Sequence, residues 1–368
     1  METPYFLIDK KKFIKNCDDI ISSFQHQWGE KVICGYSVKT NNHPLMLQLA
    51  LERDLYAEVV SKAEYELAKS VGFPDTKIIY NGPVKGETQY TAYEQGAKIN
   101  IDNLTELKDM ISYIEQNKSK RRGLGLRVNF NLEAEVPGET ATGEDVGRFG
   151  ICVENGDLDR AIQALQENTI ELEGLHIHYT TQSRSLNVYR AIAQKVVEIC
   201  SRHQIKLQYI DIGGGFWGGR IVEGKPTMPQ YAEAIADVLK QYFSTDTILI
   251  LEPGSAMSAT VIDYYTTIVS VKDIRETRIV TVDGSSLHVN PFMNARNQSV
   301  VLPELGEKVI EKQEICGGTC MEKDRFMTIM KKGELQAGSQ IIFTNAGAYT
   351  ISAASDFIVP RAKVYLAE

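Results

Sequence analysis

The sequence predicts an α/β chain: a (β/α)8 TIM-type barrel followed by a mostly β domain. Three observations carry that prediction. Short β-branched runs alternate with helix-period segments from about residue 30 to 255, reactive residue types fall where those runs end, and the texture changes after residue 256. Eight strands, each followed by a helix, in about 225 residues is the count and size of such a barrel. A doubly wound open sheet is the competing arrangement.

The elements follow in order. "TPYFLID" reads as a strand and "KKKFIKNCDDIISSFQHQ" as a helix. The barrel strands are then "KVICGYSV", "YAEVV", "KIIYNG", "AKINID", "LGLRVNF", "LEGLHIHY", "LQYIDIGG" and "TILILEPG". Between them, segments such as "HPLMLQLALERD" and "SKAEYELAKSVG" repeat apolar residues at three and four, the period of a helix with one buried face. After residue 256 come "VIDYYTTIVSVKD", "RIVTVDG", "EKVIEKQEICGG", "FMTIM", "SQIIFTNAGAYT" and "AKVYLAE", strand-like runs separated by turn residues. The expected domains are a barrel over residues 10–255 and a β-rich domain over 256–368, the latter joined by the first strand, residues 3–9.

Composition narrows the function. The chain has 368 residues, 43% hydrophobic, with a formal net charge of −8, so it lacks the basic surface that a nucleic acid or anionic membrane requires. The basic clusters "DKKKFIK" and "NKSKRR" are short and read as solvated faces or turns. No run approaches the roughly 20 apolar residues that span a bilayer, and "METPYFLIDKKKF" is unlike a signal peptide. Six scattered cysteines fit neither a disulfide framework nor a zinc pattern. A reduced, cytoplasmic setting is the expectation, with no metal.

In a β/α barrel, catalytic residues gather at the C-terminal ends of the strands. Lys39 follows the first strand, Asn81 the third, His178 lies in the sixth, Gly213, Gly214 and Gly215 follow the seventh, and Glu252 ends the eighth. A desolvated rim lysine can form a Schiff base with a carbonyl. Three glycines after a strand can cup an anion with successive N–H groups, although a bare triplet also reads as a tight turn. A carboxylate ending an apolar strand needs a partner, either a neighbouring strand's cation or a protonated ring nitrogen. His176 and His178 point the same way in their strand but lack further ligands for a metal. Cys320, in the glycine-flanked loop "CGGTCMEKD", is placed to react if its surroundings lower its pKa. Tyr349 reads first as an ordinary strand tyrosine.

Taken together, "YSVKTNN", "AEVVSKAEYELA", "NGPVK", "INIDNLTEL", "LRVNF", "GRFG", "GLHIHYTTQ", "DIGGGF", "EPG", "GGTCMEKD" and "GAYT" resemble, in order and over nearly the whole chain, the alanine-racemase-fold (fold-type III) pyridoxal-phosphate decarboxylases, which act on diaminopimelate, ornithine and arginine. The resemblance implies pyridoxal 5'-phosphate bound covalently through Lys39, with Glu64 helping to place that lysine. It implies His178 stacked on the cofactor ring and Glu252 keeping the ring nitrogen protonated. Gly213, Gly214, Gly215, Thr181 and Tyr349 would bind the phosphate, with Arg127 nearby. Cys320 would enter the partner subunit's site and reprotonate Cα, making the unit a homodimer with composite sites. Catalytic roles thus fall to Lys39, Cys320, His178 and Glu252.

Three departures from the resembled pattern stand out. Ser255 replaces an arginine after E-P-G, Thr180 replaces a glycine after the stacking histidine, and Met321 replaces an acid after the loop cysteine. The expected substrate is diamino-acid-like or conjugated, free or linked to a carrier protein; an apolar Met321 cannot neutralise a distal ammonium, which weighs against simple ornithine, lysine or diaminopimelate and towards a conjugated amino acid, with Asp324 as the remaining acid of that loop. The expected activity is amino-acid decarboxylation on a small-molecule substrate. A racemase or epimerase on the same fold and a non-catalytic pyridoxal-phosphate-binding protein are the alternatives.

Overall fold

The computed structural model describes residues 1–121, 123–141, 146–292 and 299–367. Arg122, the last residue of "NKSKRR", lies outside them. The chain divides into two units: Lys15–Lys39 with Pro44–Met257, and Met1–Ile14 with Thr40–His43 and Ser258–Glu368.

β1 (Tyr5–Asp9) leads into α1 (Lys10–Trp28). The Asp9 carboxylate accepts the Lys12 amide at 2.9 Å, an N-cap that satisfies one of the helix's orphan donors. Phe13, Cys17, Ile20, Phe24 and Trp28 recur at three and four along α1 and are all buried, so the periodic face is the packed one.

The first unit then alternates strand and helix. β2 (Val32–Ser37), α2 (Pro44–Glu52), β3 (Tyr56–Val59), α3 (Lys62–Val71), β4 (Ile78–Tyr80), α4 (Thr88–Glu94), β5 (Lys98–Ile101) and α5 (Leu104–Asn117) lead to β6 (Gly123–Asn129). After β6 the connection is longer, carrying α6 (Leu132–Glu135), β7 (Ile151–Cys152) and α7 (Asp157–Glu167). β8 (Glu171–His176), α8 (Leu186–His203), β9 (Tyr209–Asp211), α9 (Met228–Leu239) and β10 (Ile248–Leu251) complete it. Among the described residues, β2 to β6 and β8 to β10 pair in parallel. Pairing of β5 with β6 at Asn100↔Gly125, and of β10 with β2 at Leu249↔Val32, closes the ring. That closure makes the sheet a barrel and excludes the open sheet. β7 pairs outside the ring with β6.

Side chains fill the barrel. Tyr209 lies inside it, packed with Ile79 and Ile250. A Cβ on Gly174 would stand 2.2 Å from the Tyr209 ring, and one on Gly125 would stand 2.1 Å from its hydroxyl, so these glycines are where the neighbouring strands make room for it. The rim carries a buried ion pair. Lys85, after β4, is fully buried with Nζ 2.5 Å from Glu106 Oε1 and 2.8 Å from the Gly82 carbonyl. Glu106 Oε2 accepts the Asp102 amide at 2.7 Å, which ties the start of α5 to the same pair.

The second unit is a β assembly of β11 (Ile262–Ile274), β12 (Thr277–Val282), β13 (Val300–Val301), β14 (Val309–Cys316), β15 (Arg325–Gly333), β16 (Gln340–Phe343) and β17 (Lys363–Ala367). Its strand order is β13-β16-β11-β12-β14-β15, and β1 lies between β11, antiparallel, and β17, parallel. Tyr5 stacks on Tyr265 with centroids 4.7 Å apart, and Phe6 lies 4.7 Å from Tyr264, so paired positions on β1 and β11 are locked by aromatic contacts. Among the described residues, no helix is long and apolar enough to cross a membrane.

Candidate active site

The site is built on strand ends of the barrel. Lys39 lies on a single 3-10 turn (Val38–Thr40) just past β2. Its Nζ donates to the carboxylate of Glu58, which projects from β3 and is 1% exposed. Asn81, after β4, donates Nδ2 to Glu58 Oε1 at 3.1 Å and to Glu252 Oε1 at 2.6 Å. Its Oδ1 accepts Asn100 Nδ2 at 2.8 Å, and Asn100 Oδ1 accepts the Tyr209 hydroxyl at 2.7 Å. One hydrogen-bonded chain therefore runs from the rim lysine to the barrel interior.

Glu252 immediately follows β10, and its Oε2 lies 3.4 Å from His176 Nε2 at the end of β8. Asp211, ending β9, completes a buried cluster whose polar atoms lie within 4.8 Å of one another. Burial first, and then the negative charge of Glu252, pushes the Asp211 carboxyl far above its ordinary range, so it keeps its proton. Burial would also raise Glu252, but the His176 ring and the Lys39 charge outweigh it and hold Glu252 ionised. Both ring nitrogens of His176 and Asp211 Oδ2 are buried without a hydrogen bond.

Gly213 and Gly215 adopt φ of +68° and +90°, in the left-handed region open to glycine. A Cβ on Gly213 would stand 2.6 Å from His178 Cβ, and one on Gly214 2.1 Å from the Glu252 carbonyl oxygen. The triplet is fixed from both sides, since Asp211 Oδ1 accepts the Gly213 amide at 2.9 Å and Tyr189 donates to the Gly214 carbonyl at 3.0 Å. His178 lies beyond the end of β8, where its Nδ1 accepts the Gly214 amide at 3.3 Å. Its pKa is pushed down to about 3 by burial and then by the charges of Arg127 and Lys39, so its ring is neutral. Arg127, on β6, has Nη1 3.5 Å from Asp102 Oδ1 and its guanidinium 4.6 Å over Phe149. Thr181 bridges to Thr140 and accepts the Arg184 amide on Oγ1 at 3.2 Å.

Glu64 is used differently from the expectation. Its carboxylate accepts the Val60 amide at 2.9 Å while the Ser61 hydroxyl, the N-cap, accepts the Glu64 amide at 3.3 Å, so both residues hold the start of α3. The carboxylate hydrogen-bonded to Lys39 is Glu58. Burial raises the Glu64 pKa to about 7. Glu58, Asn100 and Asp211 are the members of this constellation that the sequence reading did not single out, and His176 was noted only as a strand neighbour of His178. Glu58 and Asp211 carried one signal, an acid inside an otherwise apolar strand.

The remaining candidates belong to the second unit. Tyr349 is exposed, has φ +54° and donates its amide to the Thr40 carbonyl at 2.8 Å. Cys320 is exposed in the loop after β14, with Met321 beside it half-buried. Asp324 requires a correction, because it is 2% exposed and both its oxygens are occupied. Oδ1 accepts the Ser286 amide and hydroxyl, both at 2.7 Å, and Oδ2 accepts the Thr319 hydroxyl at 2.6 Å. It holds the cysteine loop in shape, with both oxygens engaged inside its own unit.

A phosphorylated pyridine aldehyde fits the barrel residues. The glycine turn packs its backbone directly against His178 and the Glu252 carbonyl, the neutral imidazole of His178 presents a ring beside it, and an ionised Glu252 stands among buried polar atoms that lack partners. A closed barrel carrying a rim lysine, this glycine turn and this glutamate, together with a separate β unit, defines a fold-type III pyridoxal-phosphate enzyme.

Residues 13–259 match the family model "Pyridoxal-dependent decarboxylase, pyridoxal binding domain". The chain is 27% identical over 374 aligned positions to the diaminopimelate decarboxylase of Aquifex aeolicus, covering 100% of this chain and 87% of that protein. Its fold matches diaminopimelate decarboxylase from M. jannaschii in complex with L-lysine (TM-score 0.87, 23% identity, 99% of this chain and 87% of that one). It also matches lysine/ornithine decarboxylase from Vibrio vulnificus in complex with cadaverine (TM-score 0.80, 21% identity, 100% and 95%). The chain belongs to the pyridoxal-dependent decarboxylase family. It is a carboxy-lyase, and its cofactor is pyridoxal phosphate.

Proposed function

We propose that this enzyme removes the α-carboxylate of a diamino-acid-like or distally conjugated amino acid, with Lys39 holding the cofactor and Cys320 of the partner subunit supplying a proton to Cα. The observation that carries the reading is Lys39 at the barrel rim, ion-paired to the buried Glu58 and joined through Asn81 to Glu252.

When bound, pyridoxal phosphate supplies the electron sink for the pair released as the Cα–carboxylate bond breaks. The protein's part is orientation and proton placement. The turn Gly213, Gly214 and Gly215 would meet the phosphate through the Gly215 N–H, because the Gly213 and Gly214 amides are donated to Asp211 and His178; Thr181 and Tyr349 would join it, with the positive charge of Arg127 nearby. The neutral ring of His178 offers a flat face against which a pyridine can stack. Glu252, ionised, accepts a ring N–H and keeps that nitrogen protonated. Glu58 accepts from Lys39 Nζ and fixes where the amine points. A thiol from the partner subunit suits the last step, since Cα must receive a proton after carbon dioxide leaves.

The cysteine loop informs the substrate. Met321 is apolar, Asp324 is occupied internally, and the Glu322 carboxylate lies 3.0 Å from the Arg325 guanidinium. A loop so arranged is poorly suited to a bare distal ammonium, which favours a substrate whose far end is conjugated or carried by another protein. The test is to incubate holoenzyme with L- and D-amino acids, including diaminopimelate, lysine, ornithine and their distally acylated derivatives, and to follow carbon dioxide and product mass. Gas release that is fastest with a distally acylated substrate is expected. Racemisation without gas overturns the reading.

A further inference from the structure

Ser255 leaves the loop after the eighth barrel strand without a cation, and the structure brings one to it from another strand. Arg184 lies in the turn before α8, with φ +52°, an uncommon state for an L side chain. That turn is held at three points: Thr181 Oγ1 accepts the Arg184 amide at 3.2 Å, Tyr231 donates to its carbonyl at 2.5 Å, and its guanidinium lies 4.7 Å over the Trp217 ring. So placed, Nη1 donates to the Phe216 carbonyl at 3.3 Å and to Ser255 Oγ at 3.4 Å. Phe216 is the residue after Gly215, and Ser255 the residue after Gly254. Gly254 borders the glycine turn, its amide nitrogen 3.8 Å from where a Cβ on Gly214 would stand. Among the described residues, no carboxylate pairs with Arg184, and its Nε and Nη2 make no hydrogen bond. A half-buried guanidinium with no counterion among the described residues, bound to the residues that flank the glycine turn, is an arrangement that awaits an anion.

We propose that Arg184 completes the phosphate site, neutralising the cofactor's phosphate from the loop after β8, with Ser255 steering the guanidinium. The inference rests on the reading of the barrel rim as a pyridoxal-phosphate site and adds to it a charge that the glycine amides do not supply. Pyridoxal and pyridoxal phosphate carry the same aldehyde for Lys39 and differ only in the phosphate, so comparing their uptake isolates that group.

The experiment strips the cofactor from wild type, R184M and R184K, titrates each with both aldehydes by absorbance, and checks folding by thermal melting. R184M is expected to weaken uptake of pyridoxal phosphate by about 10- to 100-fold while leaving pyridoxal uptake unchanged, and R184K to fall between it and wild type. If R184M does not fold, R184K provides the same comparison, a smaller but phosphate-specific loss. A wild type that takes up neither aldehyde overturns the reading of the whole site. Normal wild-type uptake, with variants that lose nothing or lose both aldehydes alike, overturns the role of Arg184 alone.

Discussion

Replacing Glu58 removes the carboxylate to which Lys39 Nζ donates. A charge-assisted hydrogen bond of this kind is worth about 1.5–3 kcal/mol, so E58A is expected to reduce cofactor uptake at Lys39 by about tenfold or more, read from the absorbance of the reconstituted enzyme. Glu64 answers to a different measurement. Its pKa is raised from 4.5 to about 7 in the folded chain, so the fold binds that proton more tightly than the unfolded state does. The resulting stabilisation is fully present below about pH 4.5 and is lost as pH rises towards 7. Between about pH 5 and pH 8, wild type should lose about 1–2 kcal/mol more than E64Q in urea unfolding, after allowing for solvent screening. The sequence held the clue to both acids. Ser61 and Glu64 have capping-box spacing, which assigns Glu64 to its own helix, whereas Glu58 needs the register of β3 against β2 before its direction is known. Lys39, His178, Glu252 and the glycine triplet were legible because each interrupts or ends an apolar run. His176 and Asp211 were visible within their own strands, but their meeting with Glu252 was not, because one-dimensional spacing does not tell which strand end a side chain meets across a barrel.

Interlocks between strands account for what periodicity does not convey about the elements. The eight runs could be read as strands, but buried parallel strands look alike in a barrel and in an open sheet. The difference lies in the pairing of β10 with β2 and in what fills the interior. Tyr209 fits only because β6 and β8 present glycines to it, so Gly174→Ala should cost about 1–3 kcal/mol or more in chemical denaturation, with part recovered by adding Tyr209→Leu. The Lys85–Glu106 pair makes a second test. Burial lowers the Lys85 pKa even against the pull of Glu106, so the pair's partners depend on each other. K85M alone should destabilise by about 3–5 kcal/mol, because it leaves a buried carboxylate without its cation, and K85M/E106L should be markedly less harmful.

At the scale of the whole molecule, the proposed division of labour between subunits makes a statistical prediction. K39A and C320A proteins should each be nearly inactive, C320A with its cofactor absorbance intact. Mixed under conditions that exchange subunits, they should recover about a quarter of wild-type turnover, because half the dimers become mixed and each of those regains one complete site. No recovery, despite exchange shown by a tagged subunit, would count against composite sites. The place of β1 carries a further consequence, for the order of events during synthesis. Residues 5–9 are synthesised long before the strands that flank them, residues 262–274 and 363–367. The successive β/α units of the barrel join neighbours close in sequence and can begin pairing while translation continues. The first strand must wait, an open edge until the last one arrives, so slowing translation late in the message should prolong that exposure and make the nascent chain depend more on chaperones.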